Sequence, residues 1–250
     1  MFDRSSKPVL TAMVTAASVR DAAGIMRTAA AEGAEAFYLQ LDTLPRAERN
    51  EELLRPLFAA AEGKPVIVTA YRFFDASLSE EESAELLLLG LKCGASVCDM
   101  TGDLFAPVPE QLTFDENAVR RQKELIGRIH DLGGKVLIST HLPRFFPHDV
   151  ALAFAREQEK RGADIVKIVS KCNTEKELLE DLAIASDLKQ AIEKPYLFLG
   201  NGAFSRILRL TGPSLGECMY LTVAHHTPLD FAEQPRLKDA AAMRALMFGN

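Results

Sequence analysis

The sequence lacks the features that mark several large protein classes. Glycine (15) and proline (12) are too few for a collagen or a low-complexity chain. Basic residues (29) are outnumbered by acidic ones (35), giving a net charge of −6. An acidic chain has no general attraction for a phosphate backbone, so no nucleic-acid partner is expected. Long apolar runs are missing too: the longest, Leu86–Leu91, falls far short of the roughly 20 residues that cross a bilayer. The opening MFDRSSKPVLTAMVT has neither the long apolar core nor the small-residue cleavage site of a signal peptide. A cytoplasmic protein with no membrane partner is expected. Cysteine is sparse, and Cys93, Cys98, Cys172 and Cys218 form no CxxC pair. They read as reduced, buried thiols, in a spacing that fits no common zinc pattern.

What the sequence does contain is alternation. Short apolar runs begin at Pro8, Ala36, Pro65, Val97, Lys135, Asp164, Pro195 and Cys218. Each is followed by a helical pattern: Ser18–Ala31, Ala47–Ala61, Ser79–Leu91, Asp115–Leu132, Asp149–Arg161, Thr174–Ile192, Ala203–Leu210 and Arg236–Met247. Most strand starts lie about thirty residues apart, enough for a parallel crossover through a helix. Gly33-Ala34-Glu35, Gly94-Ala95-Ser96 and Gly162-Ala163-Asp164 echo one another between helix and strand. Glycine there can end a helix in the left-handed region. Eight such units in 250 residues predict an α/β fold, a TIM (β/α)8 barrel. No linker or composition shift divides the chain, so residues 1–250 read as a single barrel domain. The alternative, a doubly wound open sheet, usually carries a glycine-rich phosphate loop after its first strand. Here that place holds Thr15-Ala16-Ala17-Ser18, so no nucleotide cofactor is expected.

Chemistry in such a barrel collects at the C-terminal ends of the strands. Those ends carry Tyr71-Arg72, Asp99, His141 and Lys167, and the last two loops carry Ser205-Arg206, His225-His226, Asp230 and Gln234. Lys167 is the most informative, because a lysine inside the apolar run Ile165–Val169 is costly to bury charged. Desolvation lowers its pKa, and nearby cations such as Arg72 or Arg206 would lower it further. A neutral amine can attack a carbonyl and form a Schiff base. The same lysine could instead snorkel to the strand edge or pair with Asp99. His141 could act as general acid and base near neutral pH, or simply hold a loop. Arg72 and Arg206 suit a carboxylate through paired hydrogen bonds. A small keto-carboxylate is therefore the expected ligand. His225-His226 has no third ligand in view, so no metal is expected.

Four segments together resemble the type I 3-dehydroquinate dehydratases, the Schiff-base class of the shikimate pathway. They are Val136–His141, Gly162–Lys167, Phe198–Arg206 with its Ser-Arg pair, and Ile67–Arg72. The resemblance implies a TIM barrel lyase that needs no cofactor. It implies Lys167 as the residue that forms an imine with the C3 ketone of 3-dehydroquinate. It implies His141 as the group that removes a C2 proton and protonates the departing C1 hydroxyl. Arg72, Arg206 and a lid glutamine, Gln234, would bind substrate. Family members are often homodimers, so a homodimer is the assembly the resemblance suggests.

The surrounding positions depart from the family pattern. Its strand-two Glu-x-Arg-x-Asp is replaced by Tyr38-Leu39-Gln40-Leu41-Asp42. Arg72 is followed by Phe73-Phe74-Asp75 rather than Glu-Gly-Gly, and Asp75 stands closest to the missing glutamate. Strand four reads Asp99-Met100-Thr101 where Asp-x-Glu is usual, and Asp230 takes the place of the lid serine. Tyr38, Gln40 and Asp230 thereby join the substrate-binding candidates. Each lost hydrogen-bond partner for a ring hydroxyl costs about 1–3 kcal/mol. Two alternatives follow: a Schiff-base dehydratase or aldolase acting on another carbonyl compound, and a non-catalytic barrel that binds a small carboxylate.

Overall fold

The computed structural model describes residues 2–4 and 7–249. Eight strands alternate with eight helices: β1 Val9–Val14, α1 Val19–Ala31, β2 Ala36–Gln40, α2 Glu51–Ala59, β3 Val66–Thr69, α3 Glu80–Cys93, β4 Val97–Thr101, α4 Glu116–Asp131, β5 Lys135–His141, α5 His148–Arg161, β6 Ile165–Lys171, α6 Glu175–Ala191, β7 Tyr196–Asn201, α7 Ser205–Leu215, β8 Met219–Thr222 and α8 Leu237–Phe248. The sheet runs β7-β6-β5-β4-β3-β2-β1-β8, with every paired neighbour parallel. Just before β8, the Cys218 N–H donates to the Tyr196 carbonyl of β7 at 3.0 Å, which brings the last two edges together. The result is the expected TIM barrel, nearly closed.

The helix starts follow the capping chemistry legible in the sequence. Ser18, Asn50, Ser79, Asp115 and Thr174 each accept a backbone N–H of the first turn. Ser79 and Thr174 complete capping boxes with Glu82 and Glu177. Gly162 ends α5 at φ +113°, a conformation that L side chains rarely adopt.

Two helices differ from the expected spans. The predicted Ala47–Ala61 helix is broken, because Asn50 caps a fresh start and leaves a short turn at Arg46–Glu48. The predicted Ala203–Leu210 helix instead begins at Ser205 and runs through Gly212-Pro213 to Leu215. Gly212 is a packing site: a Cβ there would stand 2.0 Å from Glu217 Oε1.

Period-two alternation sorts the strand side chains into two cores. Phe37, Leu39, Val68, Cys98, Ile138, Val166 and Phe198 face outward to helix residues such as Met26, Leu57, Ile126 and Leu188. Val9, Ala36, Ile67, Val97, Leu137, Ile165, Leu197 and Met219 fill the barrel interior. The same inward phase carries Asp99, Ser139, His141 and Lys167 above that apolar floor. In register, Thr69 lies beside Asp99 and Ser139 beside Lys167.

Candidate active site

A cavity of about 550 Å³ opens at the C-terminal end of the barrel. Its floor is polar. Lys167, 3% exposed, directs its ammonium at Tyr38 Oη (2.8 Å), Tyr71 Oη (3.1 Å) and Asp99 Oδ2 (3.2 Å). An ammonium has three N–H donors, and three acceptors meet them. Both tyrosine hydroxyls in turn donate to Asp99 Oδ2, and Tyr71 Oη also meets Ser139 Oγ at 2.9 Å.

This arrangement corrects the expectation of a lysine with a lowered pKa. Burial pulls Lys167 down, but the charge of Asp99 and the Tyr71 hydroxyl outweigh it and hold the ammonium above its usual range. The cations expected to depress it are engaged elsewhere. Arg72 reaches the cavity mouth but pairs with Glu80 and, at 3.1 Å, with Asp103. Arg206 is exposed and donates to the Ala232 carbonyl at 2.6 Å. Burial also raises Asp99, to about 6, against the lowering pull of Lys167.

His141 lines the same cavity, one inward position above Ser139 on β5. Gln111 Oε1 accepts the His141 backbone N–H at 3.1 Å and meets ring Nδ1 at 2.7 Å. A backbone N–H can only donate, so the glutamine atom is an acceptor and Nδ1 carries the proton. That leaves the Nε2 lone pair open. Burial, then the positive charges of Lys167, Arg209 and Lys171, hold His141 well below its usual 6.5, so the ring is neutral at pH 7. Gln111 itself sits at φ +51°, a conformation uncommon for a residue other than glycine.

The remaining candidates divide. Tyr38, Gln40 and Gln234 are buried and line the cavity. The Gln40 Oε1 has no hydrogen-bond partner. Asp230 does not line it: its carboxylate accepts the Thr227 N–H and hydroxyl (2.8 and 2.7 Å) and closes a turn. Asp75 also stays outside, paired with Arg49 at 2.7 Å and Arg46 at 3.3 Å. His225 and His226 are exposed. Among the described residues, no group of three or more His, Cys, Asp or Glu could hold a metal ion.

Four residues of the site went unassigned in the sequence. Tyr71 is the inward residue at the end of β3, and strand phase alone could have selected it over Arg72. Lys171 continues the inward phase of Lys167. Arg209 reaches the cavity from α7, and Gln111 comes from an irregular loop that carries no pattern. The mouth is aromatic: Phe231, from the loop after β8, lies 5.6 Å from Phe73 and 6.5 Å from Phe74, ring centre to ring centre.

The family model described as type I 3-dehydroquinase matches residues 10–249. Among solved structures, the type I 3-dehydroquinate dehydratase of Clostridium difficile, solved with covalently modified comenic acid, is 17% identical at a TM-score of 0.82, covering 98% of this chain and 94% of that one. The 3-dehydroquinate dehydratase of Geobacillus kaustophilus HTA426 is 17% identical at a TM-score of 0.81, covering 96% and 91%. That of Enterococcus faecalis is 16% identical at a TM-score of 0.80, covering 98% and 95%. At such identities these likenesses concern the fold. No curated protein matches the sequence. No helix among the described residues is long and apolar enough to cross a membrane.

Proposed function

The chain belongs to the type I 3-dehydroquinase family, a family of lyases, and from that premise we propose that it dehydrates 3-dehydroquinate through an imine on Lys167. The observation that carries the reading is the meeting of two groups in one cavity: a buried lysine held by three acceptors, and a neutral histidine with Nε2 open.

Lys167 must first give up a proton, and Asp99, raised to about 6, is the carboxylate beside it. The free amine adds to the C3 carbonyl, and loss of water leaves an iminium. The iminium draws electrons from the adjacent carbon. His141 Nε2 takes the C2 proton, and the C2–H electrons form an enamine. The enamine then expels the C1 hydroxyl, which leaves as water with the proton His141 had taken. Hydrolysis of the iminium frees 3-dehydroshikimate and restores the amine. Gln111 supports the role of His141 by fixing the tautomer that can accept a proton. The open Gln40 acceptor suits a ring hydroxyl donor.

A second reading within the same chemistry is favoured by the mouth. Phe73, Phe74 and Phe231 offer apolar faces, and Tyr38 and Gln40 stand where the family carries charged partners. These substitutions suit a less hydroxylated ketone. The test incubates the protein with 3-dehydroquinate and follows the ultraviolet absorbance of the conjugated product. Growth of that absorbance with wild type, and its loss in Lys167→Ala and His141→Ala, supports dehydration. Silence toward 3-dehydroquinate, with turnover of a smaller keto acid, selects the second reading.

A further inference from the structure

We propose that Arg209, assisted by Lys171, forms the subsite that takes the carboxylate of the ligand, in place of Arg206. This deepens the dehydratase reading and rests on it for the identity of the molecule that bears the carboxylate.

α7 carries two arginines on different faces. The helix opens at Ser205, so Arg206 lies in its first turn but outside the buried face, which runs through Ser205, Leu208, Arg209, Gly212 and Pro213. The two arginines go different ways. Arg206 lies at the surface, spent on the carbonyl of Ala232. Arg209 is 5% exposed and lines the cavity. Its guanidinium is partly anchored: Nε donates to the Gly200 carbonyl at 2.8 Å, and Nη2 to Asn201 Oδ1 at 3.0 Å. Its Nη1 is buried and has no hydrogen-bond partner. A guanidinium donor left open in a buried site is costly unless something supplies an acceptor.

No carboxylate of the described residues forms an ion pair with Arg209. The acidic groups that act on it are Glu233 and Glu217. Glu217 is buried. Burial raises its pKa well above the usual range, against a lowering backbone hydrogen bond at Phe198 and the charge of Arg209, and it forms no ion pair with that arginine. Lys171 adds a second cation from β6, four residues beyond Lys167 on the inward face, and it too has no ion-pair partner among the described residues. His141 feels the positive charge of Lys167, Arg209 and Lys171 together, and all four residues line one cavity. An anchored guanidinium with Nη1 open and an ammonium lining the same cavity suit one carboxylate.

The experiment separates anion binding from imine chemistry. Quinate, which carries the carboxylate but an alcohol in place of the ketone, is titrated by calorimetry into wild type, Arg209→Met, Arg209→Lys, Lys171→Met and Arg206→Met. In parallel, steady-state kinetics with 3-dehydroquinate are measured on the same proteins. A charged hydrogen bond of this kind is worth about 10- to 100-fold in affinity. Arg209→Met should lose that factor for quinate and raise KM by a similar factor with a smaller change in kcat. Arg209→Lys should recover part of the affinity, and Lys171→Met should lose less than Arg209→Met. Arg206→Met should bind quinate like wild type. If Arg209→Met does not fold, Arg209→Lys and Lys171→Met carry the test, and both must weaken quinate.

Quinate binding that is unchanged in the Arg209 and Lys171 variants, or lost in Arg206→Met, overturns the subsite. Arg209-dependent quinate binding by a wild type that never turns over 3-dehydroquinate overturns the dehydratase reading and leaves the subsite standing. Turnover of 3-dehydroquinate with quinate binding indifferent to Arg209 does the reverse. A wild type that neither binds quinate nor turns over 3-dehydroquinate contradicts both.

Discussion

Gln111 Oε1 accepts both the backbone N–H and the ring Nδ1–H of His141, at 3.1 and 2.7 Å. One side-chain atom thereby sets the position of the strand end, the orientation of the ring and its tautomer. The glutamine reaches that place from a loop held against the barrel by two further contacts: the Gly102–Leu112 bridge and the hydrogen bond from Thr140 Oγ1 to the Gln111 carbonyl at 3.3 Å. Gln111→Ala removes this control. The lost hydrogen bond is worth about 1.4 kcal/mol, or roughly tenfold in rate. The variant should lower kcat by about that factor and still form the imine at the wild-type rate. A kcat equal to that of wild type would show that the ring is oriented by something else.

In the proposed reaction, the pH dependence of imine formation follows from the Lys167 cluster. Burial pulls this lysine down, but Asp99 and Tyr71 outweigh it, so its folded-state pKa lies above the usual 10.5. The free-amine fraction then rises tenfold with each pH unit below that value. Adduct formation at saturating ketone should climb about tenfold per unit between roughly pH 7 and pH 9. Asp99→Asn removes the strongest raising influence, so its profile should level off at a lower pH. The same change leaves a buried ammonium without its counter-charge and should cost about 3–5 kcal/mol of stability, read by denaturant unfolding. Identical pH profiles for the two proteins would show that Asp99 does not govern the lysine.

The aromatic mouth joins the loop after β8 to the loop after β3 through Phe231, Phe73 and Phe74. Aromatic pairs of this kind contribute about 0.5–1.5 kcal/mol each. Phe231→Ala should therefore raise KM by about 3- to 10-fold while leaving kcat within about twofold of wild type. Hydrogen exchange of the 225–234 loop should become faster in the variant. An unchanged KM together with unchanged exchange would show that this contact has no part in ligand retention.

The sequence carried the fold because two periodicities agreed along its whole length. Strands of period two alternated with capped helices, and Ser18, Ser79, Asp115 and Thr174 marked helix starts in the residues themselves. Lys167 and His141 were legible because a lysine within an apolar strand and a histidine at a strand end stand out in the residues themselves. Arg72 was less so: Thr69 and Tyr71 take the inward phase of β3, and the arginine next along turns to Asp103 and Glu80. Arg209 was hidden because the Ser-Arg pair singled out Arg206, whereas the buried face of α7 runs through Ser205, Leu208 and Arg209. Asp230 looked like a ligand contact and closes its own turn instead. Gln111 could not be read at all, because its role depends on a loop conformation that no local pattern encodes.

In the proposed reaction Lys167 is the nucleophile toward a ketone held in the cavity it shares with His141. Borohydride reduction in the presence of 3-dehydroquinate, read by intact mass, tests it most directly. Imine chemistry on Lys167 should give one stable adduct on wild type, the same adduct on His141→Ala, and none on Lys167→Ala. An adduct that persists in folded Lys167→Ala, or a wild type that traps neither 3-dehydroquinate nor any smaller keto acid, would contradict it.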